Sequence, residues 1–253
     1  MNMPTFEHYI GIDYSGARDP EARLPGLRVY RAERETTAEE VTTPGPYRHW
    51  TRKGIAEWLI EQLQSKKRII AGLDHAFSFP MSYMERYGLE TWDAFLTDFR
   101  RHWPTHEQWV ETLRKGSPRT GEPIEYRLTD RWTSSAKSVF LFDVSGSVAK
   151  STHAGLPWLL HIRETLGDRV FFWPFDGWTP PADKHVLAEI YPSIYRNRYR
   201  CEGLTGDQRD AYAATMWLKE MDERNALFRF FDPPLAPNEK RIAAIEGWIL
   251  GVM

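Results

Sequence analysis

Two short apolar runs, each closed by an aspartate, constrain this chain more than any other feature. They are Tyr9-Ile10-Gly11-Ile12-Asp13 and Ile69-Ile70-Ala71-Gly72-Leu73-Asp74. Runs of this length and composition read as buried strands. A carboxylate at the end of a buried strand is costly unless it is paired or bound to a metal. A third run, Val186-Leu187-Ala188-Glu189-Ile190-Tyr191, carries its acid inside the strand, and Pro192 ends it because proline cannot donate to a ladder.

The segments between these runs define the rest of the fold. Leu27 to Arg34 alternates as a second strand, with a weaker third near Val41. Thr51 reads as an N-cap, and Ile55, Trp58, Leu59 and Leu63 follow at helical spacing. From Met81 to about Ser117 the pattern changes to short helices: Trp92, Phe95, Leu96 and Phe99, then Trp109, Val110 and Leu113. This block interrupts the strand–helix alternation and is expected to be an insertion. A strand is expected at Val139–Phe142, a helix at Leu156–Leu166 and a strand at Val170–Trp173. A helix over Asp207–Met221 presents Ala214, Trp217, Leu218 and Met221 on one face, and a short helix over Arg241–Leu250 ends the chain. The expected architecture is one α/β domain over residues 1–253: a mixed sheet flanked by helices, with a helical insertion at about 81–117.

Composition narrows the function classes. Lys and Arg number 33 against 35 Asp and Glu, and a net charge of -2 argues against a general nucleic-acid coat, which is normally basic. The single cysteine, Cys201, has no internal disulfide partner, which points to a reducing compartment and a cytoplasmic location. Nothing in Met1–His8 reads as a secretory leader. No apolar stretch reaches the ~18 residues that span a bilayer, so no membrane partner is expected.

The candidate chemistry lies in five acids: Asp13, Asp74, Glu189, Asp207 and Asp210. Asp207 and Asp210 sit three apart at a helix start, so both can face one way. If the strands are neighbours, the carboxylates converge at one sheet edge. Their repulsion is relieved by hard divalent cations, Mg²⁺ or Mn²⁺. Two such ions ~3.5–4 Å apart activate a water and stabilise a leaving oxygen in phosphodiester cleavage. Plainer readings stand beside this one. Asp13 and Asp74 can be turn residues, Asp207 and Asp210 an N-cap and its capping-box partner, and Glu189 the partner of a buried arginine.

The segments Gly11-Ile12-Asp13-Tyr14-Ser15-Gly16-Ala17, Ala71-Gly72-Leu73-Asp74, Ala188-Glu189-Ile190-Tyr191-Pro192-Ser193 and Asp207-Gln208-Arg209-Asp210-Ala211 occur in that order. Together they resemble the family DUF429, itself expected to be a nuclease of ribonuclease-H-like fold. The last segment also resembles the D-x-x-D-A helix of RuvC-type Holliday-junction resolvases. The resemblance implies metal ligation by Asp13 from the first strand, Asp74 from the fourth and Asp210, with Asp207 beside it. It places Glu189 in an E-x-Y-P element, and Arg127-Leu128-Thr129-Asp130 also looks like a family element. The segment 81–117 carries no resemblance.

The leading expectation is a metal-dependent nuclease acting on DNA or RNA. Asp13, Asp74 and Asp210 would be its ligands, with Asp207 and Glu189 as auxiliary ligand or water-orienting base. Arg127, Arg196 and Arg198 are the candidates for substrate phosphate. As a strand, Arg196, Arg198 and Arg200 would share one face. An actin-like or sugar-kinase-related ATPase, using Asp13-Tyr14-Ser15-Gly16 near a phosphate, is the second reading, and an inactive scaffold with a Trp-rich surface is the third. Gly146-Ser147-Val148-Ala149-Lys150-Ser151 fails as a phosphate-binding loop because Ala149 replaces the glycine required before the lysine. His75 reads as an ordinary histidine, and no His or Cys spacing suggests zinc.

Overall fold

The computed structural model describes residues 5–133 and 135–253. The first apolar run forms β1 (His8–Asp13), which turns back antiparallel into β2 (Arg28–Glu33) and on to β3 (Glu39–Glu40). Helix α1 (Arg52–Leu63) is capped as expected, with the Thr51 side chain accepting from the Gly54 N–H. It leads to β4 (Ile69–Asp74), which lies parallel to β1. The helical block follows as α2 (Met81–Tyr87), α3 (Trp92–His102) and α4 (Val110–Arg114), then α5 (Leu128–Trp132). The long α6 (Ala149–Leu166) returns the chain to β5 (Val170–Trp173) and β6 (His185–Glu189), and α7 (Gly206–Glu223), α8 (Leu227–Phe231) and α9 (Pro237–Glu246) complete it. The sheet order is β3-β2-β1-β4-β6-β5, with β4, β6 and β5 parallel. This is an α/β fold with a mixed six-stranded sheet flanked by helices. Strand β3 is two exposed glutamates long, which blunts that edge against further pairing.

Side chains alternate across the sheet, and the two faces build different cores. Ile10, Ile12, Ile69, Ala71, Leu73 and Leu187 point toward α1, α6 and the insertion. Tyr9, Ile70, Val186, Ala188 and Trp173 point the other way, onto Ala214, Trp217 and Leu218 of α7. At β1 and β4 the second set continues through Gly11 and Gly72 to Asp13 and Asp74, so both acids belong to the α7 face.

Three expectations are corrected. Val139–Phe142 is a turn rather than a strand; its buried Phe140 packs edge-on against Phe79 and stacks on Tyr83. Helix α6 begins at Ala149, not Leu156, and runs through Gly155 and Pro157. Proline leaves the carbonyl four residues earlier without its helical partner. That carbonyl, on His153, instead accepts from the Thr105 hydroxyl of the insertion. Gly155 is required because a Cβ there would meet the His75 ring at 2.5 Å. The last helix is α9, which starts on Pro237 and stops at Gly247 with φ of 80°, so Trp248–Leu250 lie beyond it. No helix among the described residues is long and apolar enough to cross a membrane.

Candidate metal centre

Asp13 and Asp74 are register partners at the C-terminal ends of adjacent parallel strands. Both are half-buried, and the pleat turns both toward α7. Helix α7 reaches this edge because Gly11 has no side chain: a Cβ there would lie 2.4 Å from the Ala211 carbonyl and 2.6 Å from the Thr215 hydroxyl. Seating α7 on β1 at this glycine brings its first turns, with Asp207 and Asp210, over Asp13. A Cβ built on Gly26 would meet both Ser15 Oγ and Asp207 Oδ2 at 3.5 Å, which places Asp207 over the loop that follows Asp13.

The electrostatics report the convergence. Burial, and then the charges of Asp74, Asp207 and Asp210, hold the Asp13 carboxyl well above the usual range. Asp74 is raised by burial and then by Asp210 and Glu189. Asp210 is raised chiefly by burial, with Arg196 opposing. Four carboxylates at one edge therefore repel one another. Arg196 answers them most directly, its Nη1 3.3 and 3.2 Å from the two oxygens of Asp210, and the Arg209 charge also favours the ionised Asp210.

Sequence reasoning missed Tyr195. Its ring stacks on Trp217 at 4.8 Å, and the phenol is buried where Asp74 and Asp210 act on it. Among the described residues its hydroxyl has no hydrogen-bond partner. Burial and those carboxylates keep it protonated, so it is a donor available beside the acids. The only cue in the sequence was its place in Tyr195-Arg196-Asn197-Arg198-Tyr199-Arg200, where tyrosines interleave with arginines.

Two buried arginines pin the loops that follow the acid-bearing strands. Arg52, 1% exposed, donates to the carbonyls of Ser15, Ala17, Arg18 and Asp19 at 2.6–3.4 Å, fixing the loop after Asp13. Sequence reading passed over it as the first residue of a helix. Arg127, also 1% exposed, makes two 2.6 Å bonds to Glu189 and further bonds to Asp130 at 2.9 and 3.2 Å. Glu189 in turn accepts from the Phe77 N–H, in the loop after Asp74. Burial works against the Arg127 charge, but Asp130 and Glu189 outweigh it and hold the guanidinium protonated.

The structure does not bring every expected residue to the centre. Glu189 pairs in register with Leu73, not Asp74, so the pleat directs it to the opposite sheet face and the Arg127 ion pair. Arg127 is enclosed by carboxylates rather than facing a phosphate. Residues 196–198 form a 3₁₀ turn, not a strand, so the guanidiniums do not share a face. Arg196 turns to Asp210, and Arg198 binds Glu220 on α7. Neither Asp207 nor Asp210 caps α7; Thr205 is the cap and Gln208 its capping-box partner. That leaves both acids free of the role that would have explained them away. The segment after Gly146 enters α6 directly, and Lys150 is paired with Glu111 at 2.6 Å. Burial pushes the His75 imidazole down to about 4, so it is neutral, and it packs against Tyr14 and Phe77.

The donors suit a hard divalent cation, since they are carboxylate oxygens with no nitrogen or sulfur among them. As the side chains stand, no three His, Cys, Asp or Glu groups among the described residues are set closely enough to hold a metal ion. Asp210 is turned to Arg196, so a metal could use Asp210 only if that pair opened. No protein-family model, curated protein or solved structure shows significant similarity to this chain.

Proposed function

We infer that this chain is a metal-dependent phosphodiesterase of ribonuclease-H-like design that acts on nucleic acid. The observation that carries the reading is the register pairing of Asp13 with Asp74 beneath Asp210 of α7. The sheet supports it. Its order runs β3-β2-β1-β4 with β2 antiparallel, and the acids stand on the first and fourth strands, as the family resemblance implies.

Asp13, Asp74 and Asp210 would hold Mg²⁺ or Mn²⁺, with Asp207 at the outer rim. The ions, when bound, supply water activation and charge stabilisation at phosphorus. Arg196, released from Asp210, would offer its guanidinium to a substrate phosphate. The Tyr195 hydroxyl, buried without a partner among the described residues, would donate to an oxygen held there. Arg52 and Arg127 hold the two loops and so the spacing of the ligands.

The test is calorimetry with Mn²⁺ on wild type and Asp13→Asn, followed by incubation with single-stranded, double-stranded, hybrid and branched substrates. The reading expects wild-type binding, loss of it in the variant, and cleavage of at least one substrate that stops in chelator. Asp13→Asn and Asp210→Asn should each lower kcat by about two or more orders of magnitude, since each removes a ligand charge. Metal-dependent ATP hydrolysis without cleavage of any nucleic acid would move the assignment to the ATPase reading. Absence of metal binding would leave the scaffold.

A further inference from the structure

Beside Asp210 lies a cavity of about 620 Å³, bounded by the 3₁₀ turn, the residues that follow it and the start of α7. Its wall includes Arg196, Tyr199, Arg200, Cys201, Arg209 and Asp210. The volume falls within the range of sites that enclose a small organic ligand.

The charges in the wall do not balance. Three guanidiniums face two carboxylates, Glu202 and Asp210. Arg196 is paired with Asp210. Arg200 and Arg209 are exposed and, among the described residues, neither makes an ion pair. Arg200 has only a 3.3 Å bond from Nε to the Asn197 carbonyl. Several other arginines of the chain are matched to acids: Arg86 with Glu125, Arg100 with Glu164, Arg114 with Asp143, Arg163 with Asp176. Two guanidiniums without an ion pair in one concave wall suit an oxyanion, and their fork geometry suits phosphate. Tyr199 adds an aromatic surface of the kind on which a base stacks.

We propose that this cavity binds the phosphate monoester of a nucleotide through Arg200 and Arg209. The proposal deepens the phosphodiesterase reading, because it makes the bound group a terminal nucleotide seated next to Asp210. The phosphate can belong to a free nucleotide or to the 5′ end of a polynucleotide, and the chemistry of recognition is the same.

Cys201, the only cysteine in the chain, lines the cavity and serves as a reporter. The experiment measures the alkylation rate of Cys201 by iodoacetamide in the full-length, metal-free protein. The probes are inorganic phosphate, AMP, a 5′-phosphorylated oligonucleotide and the same oligonucleotide without its phosphate. Wild type, Arg200→Ala, Arg209→Ala and Asp13→Asn are compared. Phosphorylated probes should slow alkylation in wild type, and each arginine variant should need about tenfold more probe for half protection. Asp13→Asn should protect as well as wild type or better, since it removes a negative charge nearby. Protection by AMP matching that by the phosphorylated oligonucleotide identifies a free nucleotide as a sufficient ligand, and protection by the oligonucleotide alone identifies a polymer end. No protection by any phosphorylated probe, or equal protection by the unphosphorylated oligonucleotide, overturns the proposal. Unchanged protection in both arginine variants overturns it too. Protection in a protein that binds no Mn²⁺ sustains the cavity assignment while the phosphodiesterase reading fails.

Discussion

A single nitrogen of Arg196 lies 3.3 and 3.2 Å from the two carboxylate oxygens of Asp210, so one guanidinium occupies the acid that a metal would claim. In the metal-site reading the two cations would compete. Arg196→Ala should therefore tighten Mn²⁺ binding, by about three- to tenfold, because it removes a positive charge a few ångströms away. The pair is partly exposed, so metal-free stability should change by about 0.5 kcal/mol or less. Calorimetry and a denaturant melt on the same variant check both. Weaker metal binding in Arg196→Ala would show that the arginine supports the site rather than competing for it.

The raised carboxyls set the pH dependence. Asp13, Asp74 and Asp210 hold protons more tightly in the folded chain than in the unfolded one. Their contribution favours folding most at low pH and is lost as pH rises from the ordinary carboxylate range through the raised values. A metal bound by these acids would displace those protons, so Mn²⁺ affinity should rise across the same interval. Asp13→Asn or Asp74→Asn should hold or raise the metal-free melting temperature at neutral pH, worth about 1 kcal/mol, and flatten its pH dependence. Marked destabilisation by Asp74→Asn at neutral pH would assign that residue a structural hydrogen-bonding role.

Glu189 should behave oppositely. Arg127, Glu189 and Asp130 form a buried network, and removing one member leaves an uncompensated charge. Arg127→Ala or Glu189→Ala should each cost about 3–5 kcal/mol. A chemical-denaturation series decides this. A Glu189→Ala variant with wild-type stability and no activity would place Glu189 in the chemistry instead.

Gly11 sets the seat of α7. A Cβ there meets backbone at 2.4 Å, which a flexible side chain cannot relieve. Gly11→Ala should displace the helix from β1, destabilise the fold by about 1–3 kcal/mol and weaken metal binding along with it. By contrast Thr205→Ala, which removes only the α7 cap, should cost about 1 kcal/mol with metal affinity retained. Equal metal affinity in Gly11→Ala and wild type would mean that the position of α7 does not govern the site.

Most of the strands, the two aspartates that close β1 and β4 and the cap at Thr51 were legible in the sequence, because each depends on local rules. Apolar runs of five or six residues became buried strands, while the four-residue run Val139–Phe142 did not, and a carboxylate at the end of a buried strand carries a desolvation penalty. The tertiary structure decided which acids share a site. Sheet register depends on the pairing partner, and a shift of one residue exchanges the faces. Asp13 meets Asp74, while Glu189 meets Leu73 and so turns away from them both. Contacts from distant segments decided the rest. Thr105 takes the carbonyl that Pro157 frees, so α6 continues, and Arg52 finds four carbonyls more than thirty residues before it. No local pattern encodes those contacts, because the groups that make them meet only when the chain has folded.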